Sequence, residues 1–333
     1  MSDTHIEILG LGNAIVDVIA PGADDFLAKH DLRKGAMQLI DEATAEKLYA
    51  AMGQTTIVSG GSAANTIVGA AQLGCQTAFI GKVKADPLGD VFAHDIRAAK
   101  VAFKSAAAKD GAASARCLVL VTPDGQRTMS TFLGACQNLT PADVDPALVE
   151  AAEITYLEGY LWDPPEAKKA FLKASDLAHA ADRRVALSLS DAFCVDRYRD
   201  EFLGLIRDGK VDILFANESE LHSLYQTSDF DTAVAQLRNE DILGVVTRSE
   251  KGSLVVTREE THAVKAYPVE KVVDTTGAGD LFAAGFLAGL VRDQSLSDCA
   301  RLGALAAAEV IQHYGARPQQ DLKALAAESG FEL

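Results

Sequence analysis

The sequence predicts an α/β protein: a doubly wound, mainly parallel sheet flanked by helices, with a small β-sheet lid over one end of it. Three observations carry that expectation. Short β-rich runs alternate with amphipathic helical stretches along most of the chain, and strands joined through helices run parallel because each crossover returns the chain to the same end of the sheet. The alternation breaks at 15–41 and at 101–133, where strand-like pieces follow one another with few helices between. Finally, 333 residues with 48% hydrophobic content can bury a large core.

Taken in order, the alternating units are "TTIVSG" then helix 62–73, "TAFIGKV" then 88–99, "EITYLEG" then 165–180, "RVALSLS" then 194–207, and "VDILFAN" then 217–225. Two helices, about 279–291 and 296–313, close the C-terminal third. In the two breaks, "IVDVIA", "GAMQLI", "ARCLVLVT" and "RTMSTFL" predict a small antiparallel sheet built from separated insertions. Open α/β sheets bind ligands beyond the carboxyl ends of their strands, so the small sheet is expected to cover that end. No internal repeat, low-complexity tract or Pro/Gly/Ser linker marks a boundary, and residues 1–333 are expected to form one domain carrying an inserted lid.

Aspartate and glutamate outnumber lysine and arginine 47 to 31, a net charge of −16 that repels nucleic acid and anionic membrane. The five cysteines are odd in number, scattered and without C-x-x-C spacing, so neither a disulfide framework nor a zinc site is expected. The N-terminal "MSDTHIEILG" lacks a basic segment leading into an apolar one, and no run of about eighteen apolar residues could span a membrane. These features predict a soluble cytoplasmic protein with small-molecule partners, monomeric or homodimeric.

The stretch "DTTGAGD" runs through Gly277, Ala278 and Gly279 into a helix beginning near Asp280. Glycines let successive backbone N–H groups converge on one point, and the helix adds its positive dipole end, a combination suited to a phosphoryl group in transfer. Asp280 would repel a resting phosphate but could accept the proton of a hydroxyl attacking it. A tight turn capped by an aspartate gives the same seven residues. The turn lacks the G-K-[ST] ending of a Walker A loop, and neither it nor the early "GLGNAI" completes a dinucleotide fingerprint.

Gly60-Gly61 follows a strand and leads through Ser62 to Asn65 in a helix's first turn. Bare glycines admit a ligand close to the backbone, and Asn65 can donate to and accept from a hydroxyl; a solvent-facing helix start accounts for the pattern equally well. Asn13 and Asp17 interrupt the apolar run "GNAIVDVIA", and a carboxylate there suits the adjacent hydroxyls of a sugar. Arg127 opens another lid strand, either toward the substrate or phosphates or, more commonly for such a position, as a surface residue after a turn. Asn217 and Glu220 stand three apart on one helical face; they could hold magnesium through water or form a capping box. The strand and turn "VVTRSEKGS" could touch a nucleotide.

The order of these pieces resembles the PfkB (ribokinase-like) family of small-molecule kinases over roughly residues 6–318, with "DTTGAGD" the most specific match. The resemblance implies ATP and Mg2+ as cofactors, Asp280 as base, and Gly277–Gly279 as anion hole. It implies that Asn217 and Glu220 organise magnesium and phosphates, that Thr247 and Gly252 line the nucleotide site, and that Asp17, Gly61 and Asn65 hold the acceptor. Many members bind a monovalent cation such as K+, for which Asp274 and the Thr276 carbonyl are the candidates. Where ribokinases carry a lysine after the glycine pair, "GGSAAN" has Ser62 and looks more like the adenosine-phosphorylating members. On that map Met37, Met129, Leu133, Tyr160 and Trp162 are candidates for an apolar adenine slot, against the plain alternative that they pack the core or lid. The expected activity is phosphorylation of the adenosine 5′-hydroxyl. The alternatives are a sugar kinase of the same fold, a nucleoside-binding protein without turnover and, more remotely, an NAD-linked oxidoreductase.

Overall fold

The structure is a computed structural model and describes residues 5–333. Its strands are β1 (Ile6–Leu11), β2 (Ile15–Pro21), β3 (Met37–Leu39), β4 (Thr56–Gly60), β5 (Thr77–Ile80), β6 (Ala102–Phe103), β7 (Ala115–Val121), β8 (Arg127–Phe132), β9 (Ala152–Glu158), β10 (Arg184–Ser188), β11 (Ile213–Asn217), β12 (Leu243–Thr247), β13 (Ser253–Val256) and β14 (Thr261–Val264). A nine-stranded sheet in the order β14-β13-β12-β11-β10-β9-β1-β5-β6 forms the body. It is parallel from β6 to β12, and β13 and β14 add an antiparallel edge.

Strands such as "TAFI" are buried throughout, as sheets covered on both faces require. One core lies between the sheet and helices Ser62–Gln72, Ala278–Leu290 and Leu296–Val310. A second core, on the other face, is closed by helices Pro165–Ala180, Ala192–Arg207 and Glu218–Tyr225. These helices lie close to their expected bounds, although the last of the C-terminal pair stops at Val310 rather than near 313. The chain proceeds from β1 to β5 on one side and resumes at β9 on the other, so the strand order reverses between β1 and β9. A crevice at the carboxyl ends of those two strands is the site such a topology offers a ligand.

The smaller sheet has the order β3-β8-β7-β2-β4 and departs from expectation in two ways. It is mixed rather than antiparallel: β2 with β7 and β3 with β8 run parallel, while β2 with β4 and β7 with β8 run antiparallel. It also takes β4, whose run "TTIVSG" reads as a body strand because a body helix follows it; hydrophobic period identifies a strand but not the sheet it joins. Conversely β6, inside the second break, pairs with β5 in the body. Val16, Val18, Ala20, Leu118 and Leu120 face a core shared with Leu27, Leu32 and Leu48. The opposite face carries Asp17 in register with Cys117, and Ile19 in register with Val119, which continues to Met129 and Met37.

Lid and body meet at Gly60-Gly61. Gly61 has φ of 97°, and a Cβ there would lie 2.2 Å from the Asn13 carbonyl oxygen. By contrast Gly204, inside helix Ala192–Arg207, has open space around its missing side chain. Urea denaturation is therefore expected to show Gly61→Ala destabilised by roughly 1–3 kcal/mol or more, and Gly204→Ala unchanged or stabilised by up to about 1 kcal/mol. Equal effects of the two substitutions would contradict the assigned elbow geometry.

Candidate active site

The glycine turn places a helix start against a cavity of about 930 Å³, whose walls include Ser62, Glu220, Gly277, Gly279 and Asp280. Gly277 precedes helix Ala278–Leu290 in the left-handed conformation, φ 79°, and no side chain among the described residues caps that helix. A Cβ on Gly277 would fall 2.7 Å from the Ala316 Cβ, so conformation and packing both demand glycine. Gly279 differs from expectation: it is helical, with nothing within 4 Å of a built Cβ. Its missing side chain leaves open space at the cavity wall instead of permitting a special conformation. The first backbone N–H groups of an uncapped helix lack intrahelical partners. Here Ala278 N–H turns back to the Thr275 carbonyl at 3.2 Å, and the N–H groups of Gly279 and Asp280, without a backbone acceptor among the described residues, are the ones open to an anion.

Asp280 is the third residue of that helix and does not cap it. Its Oδ1 accepts from the Ser62 hydroxyl at 2.7 Å and its Oδ2 from Asn65 Nδ2 at 2.9 Å. Burial raises the Asp280 pKa, while the Asn65 and Ser62 hydrogen bonds and the charge of Arg317 oppose the rise. Asn65 is buried, and its Oδ1 has no partner among the described residues, an acceptor that a ligand hydroxyl could satisfy. Asp17 projects from β2 over Gly60, where a Cβ would lie 2.5 Å from its Oδ2. Burial pushes the Asp17 pKa up to about 6 against the pull of Arg317 and Arg127, with Asp280 adding to the rise. The structure thus gathers Asp17, Gly60, Gly61, Ser62, Asn65 and Asp280 around one elbow.

Arg127 crosses from β8 to the turn. It donates to Thr276 Oγ1 at 2.9 Å and pairs with Asp274 at 2.9 Å, both charged side chains being buried. Asp274 also accepts from Thr276 N–H at 3.0 Å, Thr276 Oγ1 at 2.8 Å and Gly315 N–H at 3.0 Å. This donor set does not fit a monovalent cation at the Asp274 side chain, because a guanidinium already occupies its coordination space. Asn217 and Glu220 form a reciprocal capping box, with Glu220 accepting from Asn217 N–H at 2.9 Å and Nδ2 at 2.7 Å. Both line the cavity, and burial pushes the Glu220 pKa up to about 7. A carboxylate so engaged suits a metal's water shell better than direct ligation, the manner in which magnesium is commonly held.

Thr247 ends β12 beside Asn217, and both Thr247 and Gly252 line the same cavity. Gly252 has φ of 90°, and a Cβ would meet the Val264 carbonyl oxygen at 2.1 Å, so its glycine serves the turn itself. Met37 and Met129 are neighbours on the lid face that carries Asp17, and Met37 is 46% exposed. Leu133 follows β8, partly buried. Tyr160 is partly buried, its hydroxyl donating to the Ser190 carbonyl at 3.4 Å. Trp162 does not belong to an adenine slot. It is 3% exposed, donates Nε1 to Glu201 at 3.0 Å, and packs on Phe171 and Phe202 in the second core. A 3-10 turn over Gly159–Trp162 carries the Trp162 ring into that core, away from the lid.

Two residues were missed from sequence. Glu158, the last residue of β9, is fully buried and accepts from the N–H groups of Asn13 at 2.8 Å and Ala63 at 2.9 Å. It closes the β1/β9 crevice; a lone acid ending the apolar run "ITYLEG" was the available signal. Arg317, in "HYGARP", donates to Ser59 and Ala64 and gave no pattern to detect.

A carboxylate beside uncapped helix donors, at the carboxyl ends of a parallel sheet and under a lid, defines a phosphotransferase acting on a hydroxyl. Residues 36–322 match the pfkB family carbohydrate kinases, and the chain belongs to that family. It is 31% identical to the adenosine kinase of Saccharomyces cerevisiae over 92% of this chain and 94% of that protein. The crystal structure of adenosine kinase from Sinorhizobium meliloti superposes with TM-score 0.92 at 50% identity, covering 98% and 99% of the two chains. A probable sugar kinase protein from Rhizobium etli CFN 42 superposes with TM-score 0.92 at 49% identity and the same coverage. The chain is a kinase, with ATP as phosphoryl donor and Mg2+ as its metal.

Glu158 gives the site a pH signature. Burial raises its pKa from the ordinary 4.5 to about 7, against the two backbone hydrogen bonds. Between those values the folded chain binds a proton that the unfolded chain releases, so this group's contribution to stability falls as pH rises through the interval. Denaturation at pH 5.5 and 7.5 is expected to show a fall in the native chain, to which Asp17 and Glu220 also contribute, and a fall smaller by on the order of 1–3 kcal/mol in Glu158→Gln. An equal fall in both proteins would show that Glu158 is not the titrating group.

Proposed function

We propose that this chain transfers the γ-phosphoryl group of MgATP to the 5′-hydroxyl of adenosine, giving AMP and ADP. The observation that carries the reading is Asp280: a carboxylate held by Ser62 and Asn65 beside the uncapped donors that follow Gly277. On this reading ATP lies in the cavity past Thr247 and Gly252, with its γ-phosphate at the turn. The acceptor hydroxyl gives its proton to Asp280 as its oxygen bonds to phosphorus, and the bond from phosphorus to the bridging oxygen of ADP breaks. The turn's N–H groups meet the charge that builds on the transferring oxygens. Bound Mg2+ neutralises phosphate charge, and Glu220 would hold it through water.

Asp17 accepts from the ribosyl hydroxyls, and the apolar row Ile19, Val119, Met129 and Met37 beside it offers a surface for the base. Leu133 and Tyr160 are assigned to the rim of that slot. The "GGSAAN" elbow and the 50% identity to an adenosine kinase structure support the nucleoside over a free sugar. A sugar acceptor remains the second reading, favoured by the 49% identity to a probable sugar kinase. No monovalent cation is assigned, since Arg127 stands where Asp274 would bind one. We read the chain as one kinase domain carrying its lid, acting in the cytoplasm as a monomer or homodimer. No helix among the described residues is long and apolar enough to cross a membrane.

Turnover with MgATP, measured in parallel, is expected to rank adenosine first, 2′-deoxyadenosine lower, and ribose and fructose last. Removing one hydroxyl leaves Asp17 partly unpaired, at roughly 1–3 kcal/mol or about ten- to a hundred-fold in kcat/KM. Ribose forgoes burial of the base, on the order of 2–3 kcal/mol. A higher kcat/KM for ribose or a hexose than for adenosine would replace this reading with the sugar kinase.

A further inference from the structure

Residues 313–320 run behind both halves of the site and are fixed at several points. Glu309, 2% exposed, accepts from the N–H groups of Gln319 at 3.0 Å and Gln320 at 2.9 Å. Asp274 accepts from Gly315 N–H at 3.0 Å, and Ala316 fills the space a side chain at Gly277 would need. Between these anchors Arg317 reaches the Gly60-Gly61 elbow. Its Nε donates to the Ser59 carbonyl at 3.1 Å, its Nη2 to the Ser59 hydroxyl at 3.2 Å and its Nη1 to the Ala64 carbonyl at 3.0 Å. Ser59 lies in lid strand β4 and Ala64 in the first turn of body helix Ser62–Gln72. One planar guanidinium therefore spans the joint, a fit that depends on its rigid fork of donors.

None of the three groups it donates to is charged, and a desolvated cation needs negative neighbours. Those facing Arg317 are Asp17 from β2, Asp280 from the turn helix and Asp95 from helix Pro87–Ala98. Asp17 also faces Arg127 from β8 and Cys117 from β7. Asp280 is faced by Glu158 and Tyr156 from β9 and by Tyr160 beyond it. Burial pulls the Arg317 pKa down to about 10, which leaves it a cation near neutral pH.

We propose that Arg317 is a positioning residue for phosphoryl transfer: it braces the elbow that sets Asp17 and Ser62 against Asp280, and it places one fixed positive charge behind both carboxylates. The proposal rests on the reading of Asp280 as base and of Asp17 as acceptor ligand. Without the cation both carboxylates hold their protons to higher pH, and without the fork the acceptor side loses its registration with the turn. The nucleotide side, beyond Thr247 and Gly252, is untouched.

The test is the pH dependence of kcat/KM for adenosine, with KM measured separately for adenosine and ATP, in the native chain, Arg317→Gln and Arg317→Lys. In Arg317→Gln the acid limb is expected to move up by about one pH unit, the scale set by a nearby opposite charge. The adenosine KM is expected to rise about tenfold or more, as for a lost charge-assisted contact, while the ATP KM stays within about twofold. Arg317→Lys is expected to keep the acid limb and still raise the adenosine KM, because it retains charge without the fork. A folded Arg317→Gln with the native limb and native adenosine KM overturns the proposal. Should that variant not fold, Arg317→Lys decides alone, and a native adenosine KM in it overturns the proposal. A native chain inactive on adenosine overturns the functional reading and this proposal together, which separates that failure from the first.

Discussion

Asp280 loses much of its water when the chain folds, and Ser62, Asn65 and the charge of Arg317 are what the structure supplies in exchange. A carboxylate in that position is useful only if it stays ionised, and desolvation works against it. Ser62 and Asn65 come from a helix more than two hundred residues earlier in the chain, so the site exists only because two helices are packed closely. Gly69 shows how closely: a Cβ there would lie 2.6 Å from Leu281 Cδ1 and 2.8 Å from the Ala284 Cβ. The apolar contact between helices Ser62–Gln72 and Ala278–Leu290 brings their N-terminal turns side by side, and the chemistry follows from that contact.

The same economy of placement governs how lid and body are joined. Each junction uses an arginine drawn partly out of water: Arg127 ties β8 to Asp274 and Thr276, and Arg317 ties β4 to the body helix. Burying such cations is expensive by itself, and losing one partner of the Arg127–Asp274 pair would leave an uncompensated charge. Glu158 complements them from the far side, accepting from Asn13 and Ala63 at the point where strand order reverses. Acidic and basic groups thus grip the two flanks of Gly60-Gly61, where the backbone itself offers least resistance to bending.

Much of this was legible before the fold was known, and the exceptions have physical causes. The body strands and helices announce themselves because burial on two faces and amphipathic period leave strong patterns. "DTTGAGD" and "GGSAAN" are visible because close approach of backbones excludes side chains. The assignment of β4 to the lid was not legible, since "TTIVSG" followed by a helix looks the same whichever sheet the strand joins. Trp162 was misread because a 3-10 turn carries its ring into the second core, where Glu201 satisfies its indole. Gly279 was legible as a glycine but not for its actual reason, open space instead of a positive φ. Arg317 was silent because its three hydrogen bonds reach two segments some 250 residues earlier in the chain, and no local pattern encodes a contact of that kind.

Single-turnover transfer by Asp280→Asn tests most directly whether Asp280 takes the acceptor's proton. Asparagine preserves the size of the side chain and can still engage Ser62 and Asn65 in part, so folding and ATP binding are expected to survive. The transfer rate at saturating MgATP and adenosine is expected to fall by about 10²–10⁴-fold, the usual cost of removing a general base, with ATP affinity nearly unchanged. Transfer at close to the native rate in a folded Asp280→Asn protein would contradict the account and reduce Asp280 to a structural residue of the helix's first turn.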